Sequence, residues 1–375
     1  MIVKQLFLNN FRNYQSENWQ FSDGVNIFYG NNGHGKTNIL ESLHFSALGS
    51  SHRTSQESDL INNLSEGMSV IVDTEYLDIK KNIKIKKENR RARKEITIDK
   101  VKIKPRELIG ELKITMFSPE DLQIVKNEPA LRRRFLDMQI SQVNSAYCLS
   151  LARYNKIIKQ RNILLKQIKE KQAKESSLEV WDEQFSKEAA YLLTQRIKTV
   201  ANISKLTEQL YANISGNAEK ATSVYVRKEN GGENDIVENP SKAVEWYKNQ
   251  LMERRKKDIE RANTGIGPHR DDIFFSINEM PARSFASQGQ QRSLVLALKM
   301  SEIQLIKEEC GEYPVLLLDD VMSELDVQRK ANLLEFLSGR VQTFITLTEK
   351  EIVGDISSAV FYKVENGTVS EDSYG

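Results

Sequence analysis

The sequence predicts an α/β fold in which a head of sheets and helices is interrupted by an inserted helical arm. Three observations carry that reading. Short apolar runs that pass directly into a turn and a helix stand near both ends of the chain, at 25–29 (VNIFY) and 314–318 (PVLLL). Segments between 69 and 104, namely SVIVDTEY, IKIKK, EITID and KVKIK, alternate apolar with polar residues, the period of exposed antiparallel strands. Apolar residues then recur at helical spacing through 139–174, 178–211 and 240–261.

In order along the chain, the opening MIVKQLFLNNFRNYQ is broken by Lys4, Asn9, Asn10 and Arg12, so it has no apolar core of signal-peptide length. No run of about 18 apolar residues follows, which predicts no membrane passage and a cytoplasmic protein. With 39% hydrophobic and 28% charged residues, the 375-residue chain has the balance of a folded domain with a second lobe, not of a disordered one. Cys148 and Cys310 have no CxxC spacing and His34, His44, His52 and His269 are scattered. The expectation is no disulfide, no structural zinc and a reducing compartment. Net charge is +2, yet 80–104 holds twelve Lys or Arg against Glu88, Glu95 and Asp99, +9, leaving −7 elsewhere. Such asymmetry predicts one anion-facing surface.

The strand at 25–29 leads into GNNGHGKTN and a helical ILESLHFSAL. Loops are expected at 215–217 and 229–239, and strand patterning returns at 272–277 (DIFFSI). A helical SLVLALKMSEIQLIKEE, the strand at 314–318, a helix over 327–337 and a strand at 342–347 complete the head. Strands between helices predict a three-layer α/β head. The expected divisions are 1–134 for the first part of the head, 135–262 for the arm and 263–375 for the rest of the head.

Gly30, Asn31, Asn32, Gly33, His34, Gly35, Lys36, Thr37 and Asn38 satisfy GxxxxGK[ST] with the strand and helix that the motif requires on either side. The glycines let backbone N–H groups curl around phosphate oxygens, Lys36 reaches the β and γ phosphates, and the Thr37 hydroxyl ligates Mg²⁺. This is an ATP site. Leu316, Leu317 and Leu318 deliver Asp319 toward the same Mg²⁺, and Asp320 is placed to polarise water, so Lys36, Asp319 and Asp320 are the candidate catalytic residues. Two acids after a strand also read as a helix cap, an alternative that an upstream phosphate loop makes improbable.

Ser287, Gln288, Gly289, Gln290 and Gln291 precede a helix and resemble the signature motif of ABC-type ATPases. In those proteins the partner subunit supplies the motif, so the resemblance implies a symmetric homodimer enclosing two ATP molecules. The resemblance then narrows. LNNFRNY (8–14), GNNGHGKTN (30–38), SHRT (51–54), FSPEDL (117–122), RRRFLD (132–137), GPHRDD (267–272), SQGQQR (287–292) and LLLDDVMSELD (316–326) stand in the order found in the RecF family, the recombination mediators in the SMC-like branch of ABC ATPases. They cover nearly the whole chain, and GPHRDD and SQGQQR are the most distinctive.

That resemblance implies an ATP-closed homodimer on DNA, double-stranded and at gapped or single-strand junctions. It also implies work with RecR, and through it RecO, to bring RecA to gapped DNA in damage repair, replication and the SOS response. It implies that Arg12 and Asn13 lie near the nucleotide, that Ser323 and Asp326 form the D-loop across the dimer, and that Glu120 or Asp121 stands in the Q-loop region. The chain departs from the family pattern at Asn127, where glycine is expected. It departs again after 342–347, where Thr346 or Thr348 would serve in place of a switch histidine. Asp320, where many ABC transporters carry Glu, shortens the reach to water and implies slow turnover.

The basic strands offer Lys84, Lys86, Lys87, Arg90, Arg91 and Arg93 as DNA contacts, by phosphate rather than base stacking because few aromatics interleave. The other reading is a lysine-rich, solvated sheet edge. Arg132, Arg133 and Arg134 read as a second basic cluster or as structural pairs with acids. His269 lacks a second histidine at ligand spacing and reads as a structural or dimer-facing residue. Two further functions share the nucleotide motifs: the ATP-binding subunit of a transporter, and an SMC-like tether. The long arm stands against the first, and the absence of hundreds of residues of heptad repeat against the second.

Overall fold

In chain order the strands are β1 (Ile2–Phe11), β2 (Tyr14–Gln20), β3 (Val25–Tyr29), β4 (Met68–Tyr76), β5 (Ile79–Lys87), β6 (Glu95–Ile98), β7 (Val101–Ile103), β8 (Ile114–Phe117), β9 (Ala221–Val226), β10 (Asp272–Ile277), β11 (Met280–Pro281), β12 (Val315–Asp319), β13 (Thr343–Leu347), β14 (Val360–Glu365) and β15 (Thr368–Asp372). The longer helices are α1 (Lys36–Leu48), α2 (Pro129–Val143), α3 (Ser145–Lys169), α4 (Leu178–Ile214), α5 (Pro240–Arg261), α6 (Gln288–Cys310) and α7 (Val327–Leu337). The computed structural model describes residues 1–227, 240–337, 339–349 and 359–372, so the loop expected at 229–239 lies outside the described residues.

The chain divides into two units. One comprises Met1–Leu122, Asn213–Asn217 and Arg292–Gly375, the other Gln123–Ala212 and Ala218–Gln291.

The first unit holds two sheets. One is antiparallel, in the order β2-β1-β4-β5-β6-β7. Alternation buries Val70 and Val72 of β4 and Ile83 and Ile85 of β5 on one face. In β1 the register shifts between Val3 and Gln5, so its buried set steps from Val3 to Leu6 and Leu8. The hairpins turn at Leu77 and Asp78, and at Asp99 and Lys100, all four with positive φ, the mirror-image turn that matches strand twist. The second sheet runs β15-β14-β3-β13-β12-β8, with β14, β3, β13, β12 and β8 parallel. Phe28, Phe344 and Tyr362 of three neighbouring strands cluster with Phe21, with ring centroids 4.9 to 6.4 Å apart.

α1 lies against strands of both sheets and buries Ile39, Leu40, Leu43, Phe45 and Ala47. The layer over the nucleotide-loop helix is therefore a sheet. The helix is buried nearly all round, its apolar residues interleaved with the buried Glu41, Ser42, His44 and Ser46.

The second unit joins α2 to α5 with the sheet β11-β10-β9. The helical pattern expected from 139 begins earlier, at Pro129, whose fixed φ suits a first helical position. It then breaks at Asn144, whose side chain caps α3 by accepting from Tyr147 N at 3.0 Å. Strand β9 and the β14–β15 hairpin were not anticipated; β15 is mostly exposed and lacks an apolar period.

Candidate nucleotide site

The loop between β3 and α1 needs its glycines for two different reasons. Gly30, Gly33 and Gly35 have φ of 144°, 83° and 114°, where L side chains are strained. A Cβ on Gly30 would lie 2.4 Å from the Val364 carbonyl oxygen, and one on Gly35 2.5 Å from the Asn13 amide nitrogen. Gly33 has open space and needs only its backbone angle. Asn13 holds the loop from behind: its Nδ2 donates to His34 O at 2.9 Å and its Oδ1 accepts from Asn38 at 2.8 Å. The Tyr14 hydroxyl donates to Gly35 O at 3.0 Å.

Arg12 sits beside them with φ 55° and grips Glu41 of α1 through Nε and Nη2, at 2.8 and 2.7 Å. Glu41 is wholly buried and also accepts from Ser51 at 2.6 Å. Burial alone would push its carboxyl pKa up; the Arg12 and Ser51 hydrogen bonds and the charges of Arg12 and Arg53 together outweigh that and hold it below the ordinary value. Arg53 continues the chain of contacts to Asn38 at 2.8 Å. Of the two residues expected near the nucleotide, Asn13 touches the loop directly, while Arg12 braces the helix that follows it.

Lys36 is buried and donates to Gly30 O at 2.6 Å and Asn31 O at 2.9 Å. Burial lowers its pKa, and Asp320 and Asp319 only partly oppose this. The Thr37 hydroxyl reaches Asp319 at 2.9 Å, joining residues 282 positions apart. Thr346 on β13 ties the acid pair together: its hydroxyl donates to Asp319 at 2.8 Å and accepts from Asp320 N at 2.9 Å. Asp320 has φ 54°, which turns the chain as it leaves β12. Ser323 donates to Asp320 O at 2.7 Å, and Asp326 caps α7 by accepting from Arg329 N at 2.9 Å. In the segment after β8, Glu120 is exposed, whereas Asp121 stands 3.5 Å from the buried ammonium of Lys299. Asp121 and Glu302 keep that ammonium protonated against the cost of burial.

A hydroxyl and a carboxylate side by side are hard oxygen donors of the kind Mg²⁺ takes, and a glycine loop at a helix N-terminus, held in positive φ, offers backbone N–H groups to phosphate oxygens. Thr37 and Asp319 fit the metal, and residues 30 to 38 fit a nucleotide.

The signature residues lie in the second unit, in and just before the first turn of α6. Ser287 and Gln290 form a reciprocal cap, Gln290 N donating to Ser287 Oγ at 3.2 Å and Ser287 N to Gln290 Oε1 at 2.7 Å. Ser287 and Gln288 are exposed, Gly289 is half-buried, and Gln291 is buried with its amide on Ala282 O at 3.2 Å.

Comparison with known proteins bears on the whole chain. Residues 2–370 match the family model described as RecF/RecN/SMC N terminal domain. The proteins named DNA replication and repair protein RecF from Clostridium novyi and Clostridium acetobutylicum are 39% and 41% identical, over 99% of this chain and all of each relative. The chain belongs to the RecF family, in the SMC-like branch of ABC ATPases. A solved recombination mediator protein RecF with ATPrS superposes with a TM-score of 0.91 at 35% identity, covering 99% of this chain and 98% of that one. An SMC head shares the fold, with a TM-score of 0.58 at 14% identity over 100% of this chain and 98% of that one.

The basic strands sort by parity. Lys84 and Lys86 share the face of β5 opposite Ile83 and Ile85. Lys87, grouped with them from the sequence, falls on the inner face instead: it is buried and its ammonium is bonded to Ala92 O. Arg90 is exposed but leans on Ser58 O and Asn62 O at 3.1 and 3.2 Å, whereas Arg91 and Arg93 are exposed on the loop before β6. Sequence reasoning gave no role to Glu41, Tyr14, Ser51 or Arg53. An acid in the middle of an apolar helix was the available signal for Glu41, since a buried carboxylate needs a cation. At Asn127, where the resemblance led to an expectation of glycine, Arg132 uses the backbone carbonyl, at 2.7 Å.

Proposed function

We propose that this chain is an ATP-dependent, DNA-binding clamp of recombinational repair, which closes as a homodimer on DNA when ATP binds and is reset by slow hydrolysis. The observation that supports it best is the meeting of Thr37 and Asp319 beside Lys36, in a chain collinear with RecF proteins from end to end. Lys36 would exchange the loop carbonyls for β and γ phosphate oxygens, and those anions would offset the burial that lowers its pKa. Mg²⁺ held by Thr37 and Asp319 would supply charge neutralisation at the phosphates. Asp320 would polarise the attacking water, with Thr346 fixing both acids in register. Ser287, Gly289 and Gln290 would cap the γ-phosphate of the partner's ATP, and Ser323 and Asp326 would meet the partner across the interface.

The solved relative is a recombination mediator protein of the RecFOR pathway. For this chain we extend that to RecR, with RecO and RecA engaged through it at gapped DNA, and to Lys84, Lys86, Arg91 and Arg93 as the phosphate contacts.

The test is a pair of variants. Asp320→Asn keeps shape and removes the base, so ATP should bind and hold a dimer in sedimentation without being consumed. Ser287→Arg should bind ATP as a monomer and fail to close. Mixed Lys36→Ala and Ser287→Arg chains put both lesions in one composite site and leave the other intact, so ATPase activity should return. No return of activity, with wild-type rate per chain constant down to dilutions where only monomer sediments, would overturn the shared site.

A further inference from the structure

The signature motif carries a connection that its own residues do not explain. Gln290 Oε1 is taken by Ser287 N, which fixes the amide orientation and leaves Nε2 as its free donor. That donor is bonded to Glu219 Oε1 at 2.5 Å. The other oxygen, Glu219 Oε2, accepts from the hydroxyl of Tyr211 at 2.6 Å. Tyr211 is fully buried near the end of α4, the 37-residue helix of the arm. Glu219 stands two residues ahead of β9, whose start is pinned to the β10–β11 turn by Lys220 N donating to Asn278 Oδ1 at 2.9 Å and Asn278 N donating to Lys220 O at 2.8 Å.

We propose that Glu219 is a positioning residue for the signature motif, and that the chain Tyr211–Glu219–Gln290 couples the helical arm to closure on the partner's nucleotide. The proposal rests on the trans-signature reading above and adds to it a residue and a route. A Gln290 side chain held at both ends keeps one conformation, so the cap on Ser287 stays formed. With its Oγ already accepting from Gln290 N, the Ser287 hydroxyl keeps its proton to donate to an oxyanion. Freed of Glu219, Gln290 would sample other rotamers and the cap would open. A shift of α4 moves Tyr211, and with it the carboxylate that sets Gln290. The arm would thereby report what it touches to the half-site offered to the partner. Glu219 also places a carboxylate beside a phosphate cradle, a cost that its two donors reduce.

Geometry and charge are separable. Glu219→Gln can still accept from Gln290 and donate to the Tyr211 oxygen, so it keeps both links without the charge. Glu219→Ala keeps neither, and Tyr211→Phe loses one. The measurements are kcat and KM for ATP, ATP-dependent dimer formation by sedimentation, and binding of a fluorescent ATP analogue at dilutions where the chain is monomeric. Glu219→Ala should lower kcat at least tenfold and weaken dimer closure while leaving monomer binding of the analogue unchanged. Tyr211→Phe should fall between, and Glu219→Gln should return close to wild type. Mixing Glu219→Ala with Lys36→Ala chains should restore activity, because one composite site of the heterodimer is then free of both lesions.

Closure and kcat unchanged in Glu219→Ala, with Ser287→Arg still blocking closure, would overturn the coupling and leave the signature reading intact. Closure surviving Ser287→Arg as well would overturn both. If Glu219→Ala does not fold, Glu219→Gln and Tyr211→Phe decide: equal losses in the two would refute positioning by geometry.

Discussion

Two regions rich in Lys and Arg look alike as text and differ in every physical respect. Along β5 to β7, Lys84, Lys86 and Lys102 alternate with isoleucines that turn inward, and the exposed ion pairs there, such as Lys102 with Glu95, are of the kind worth little. In the second unit the guanidinium groups of Arg132, Arg196 and Arg161 are buried and each is bonded to an acid. Arg132 meets both oxygens of Asp272, at 2.6 and 2.9 Å. Arg196 bonds Asp137 at 2.7 Å, the Tyr147 hydroxyl at 2.9 Å and Pro268 O at 2.5 Å. Arg161, with no exposed surface, joins Asp182, Asp258 and Thr264 at 2.8 to 2.9 Å. A cation beside tertiary acids is architecture, whereas a cation on the open face of a sheet remains available to an anion. Position relative to the pleat and to distant acids decides, and local charge density does not.

The largest effect that sharpens this contrast is expected at Arg196. Arg196→Met leaves the Asp137 carboxylate without its cation, with the Tyr147 hydroxyl still donating to it, and removes the donor to the Pro268 carbonyl; breaking a buried pair in this way costs about 3 to 5 kcal/mol. Urea denaturation should show that loss. A loss within about 0.5 kcal/mol, the range of ordinary surface changes, would place the arginine cluster in the same class as the basic strands.

Next is His269, whose ring lies between the Tyr154 hydroxyl, 2.8 Å from Nδ1, and Thr264 O, 3.2 Å from Nε2. Burial first, then Arg270, Arg133 and Arg196, lower its pKa to about 4, against the opposing hydrogen bond to Thr264. The unfolded chain then binds more protons than the folded one between the ordinary histidine pKa and about 4. Its contribution is complete above the ordinary value and is lost as pH falls through that window. The slope integrates to about 3 kcal/mol at most. His269→Gln should flatten the fall in denaturation midpoint over that range, and parallel pH profiles for the two proteins would remove the histidine from the account.

How much of this could be read in advance depends on the range of the forces involved. The loop Gly30–Asn38 and the run into Asp319 and Asp320 were legible because backbone angle, strand and helix are local, and a few residues of text contain the whole device. Lys87 was misgrouped although parity within β5 would have turned it inward, so there the signal existed and was not used. Glu41, Asp137 and Asp182 could not be matched to Arg12, Arg196 and Arg161, because those pairings exist only after the chain has folded. Glu219 carried no signal at all: an acid in SGNAEKATS has no pattern pointing to a glutamine 71 positions on.

For the open face, replacing Lys84, Lys86, Arg91 and Arg93 with Ser should leave the denaturation midpoint unchanged and weaken duplex binding irrespective of sequence. The log–log salt slope should flatten by about 0.9 for each phosphate that the variant no longer neutralises. An unchanged slope would move the nucleic-acid surface elsewhere.

The smallest effect is at Glu95, and it is the most discriminating because its sign is opposite. Its carboxylate lies opposite Lys86 in the register and bonds the Lys102 ammonium at 2.6 Å, so it neutralises the middle of the proposed phosphate track. The Lys102 hydrogen bond and charge, with Lys86 and Lys84 nearby, hold its pKa below the ordinary value, and it is therefore ionised wherever DNA binding would be measured. Glu95→Gln removes a negative charge and frees Lys102 without altering the β6 backbone. Affinity for duplex should rise, and the salt slope should steepen by as much as about 0.9 if Lys102 gains a phosphate of its own. Because both side chains are exposed, stability should not move. Titrations of wild type and variant over a range of salt read the two slopes directly. A weaker affinity for the variant would mean that Glu95 supports the DNA surface, and the open face of β5 to β7 would then have to be read as the solvated edge that its composition also allows.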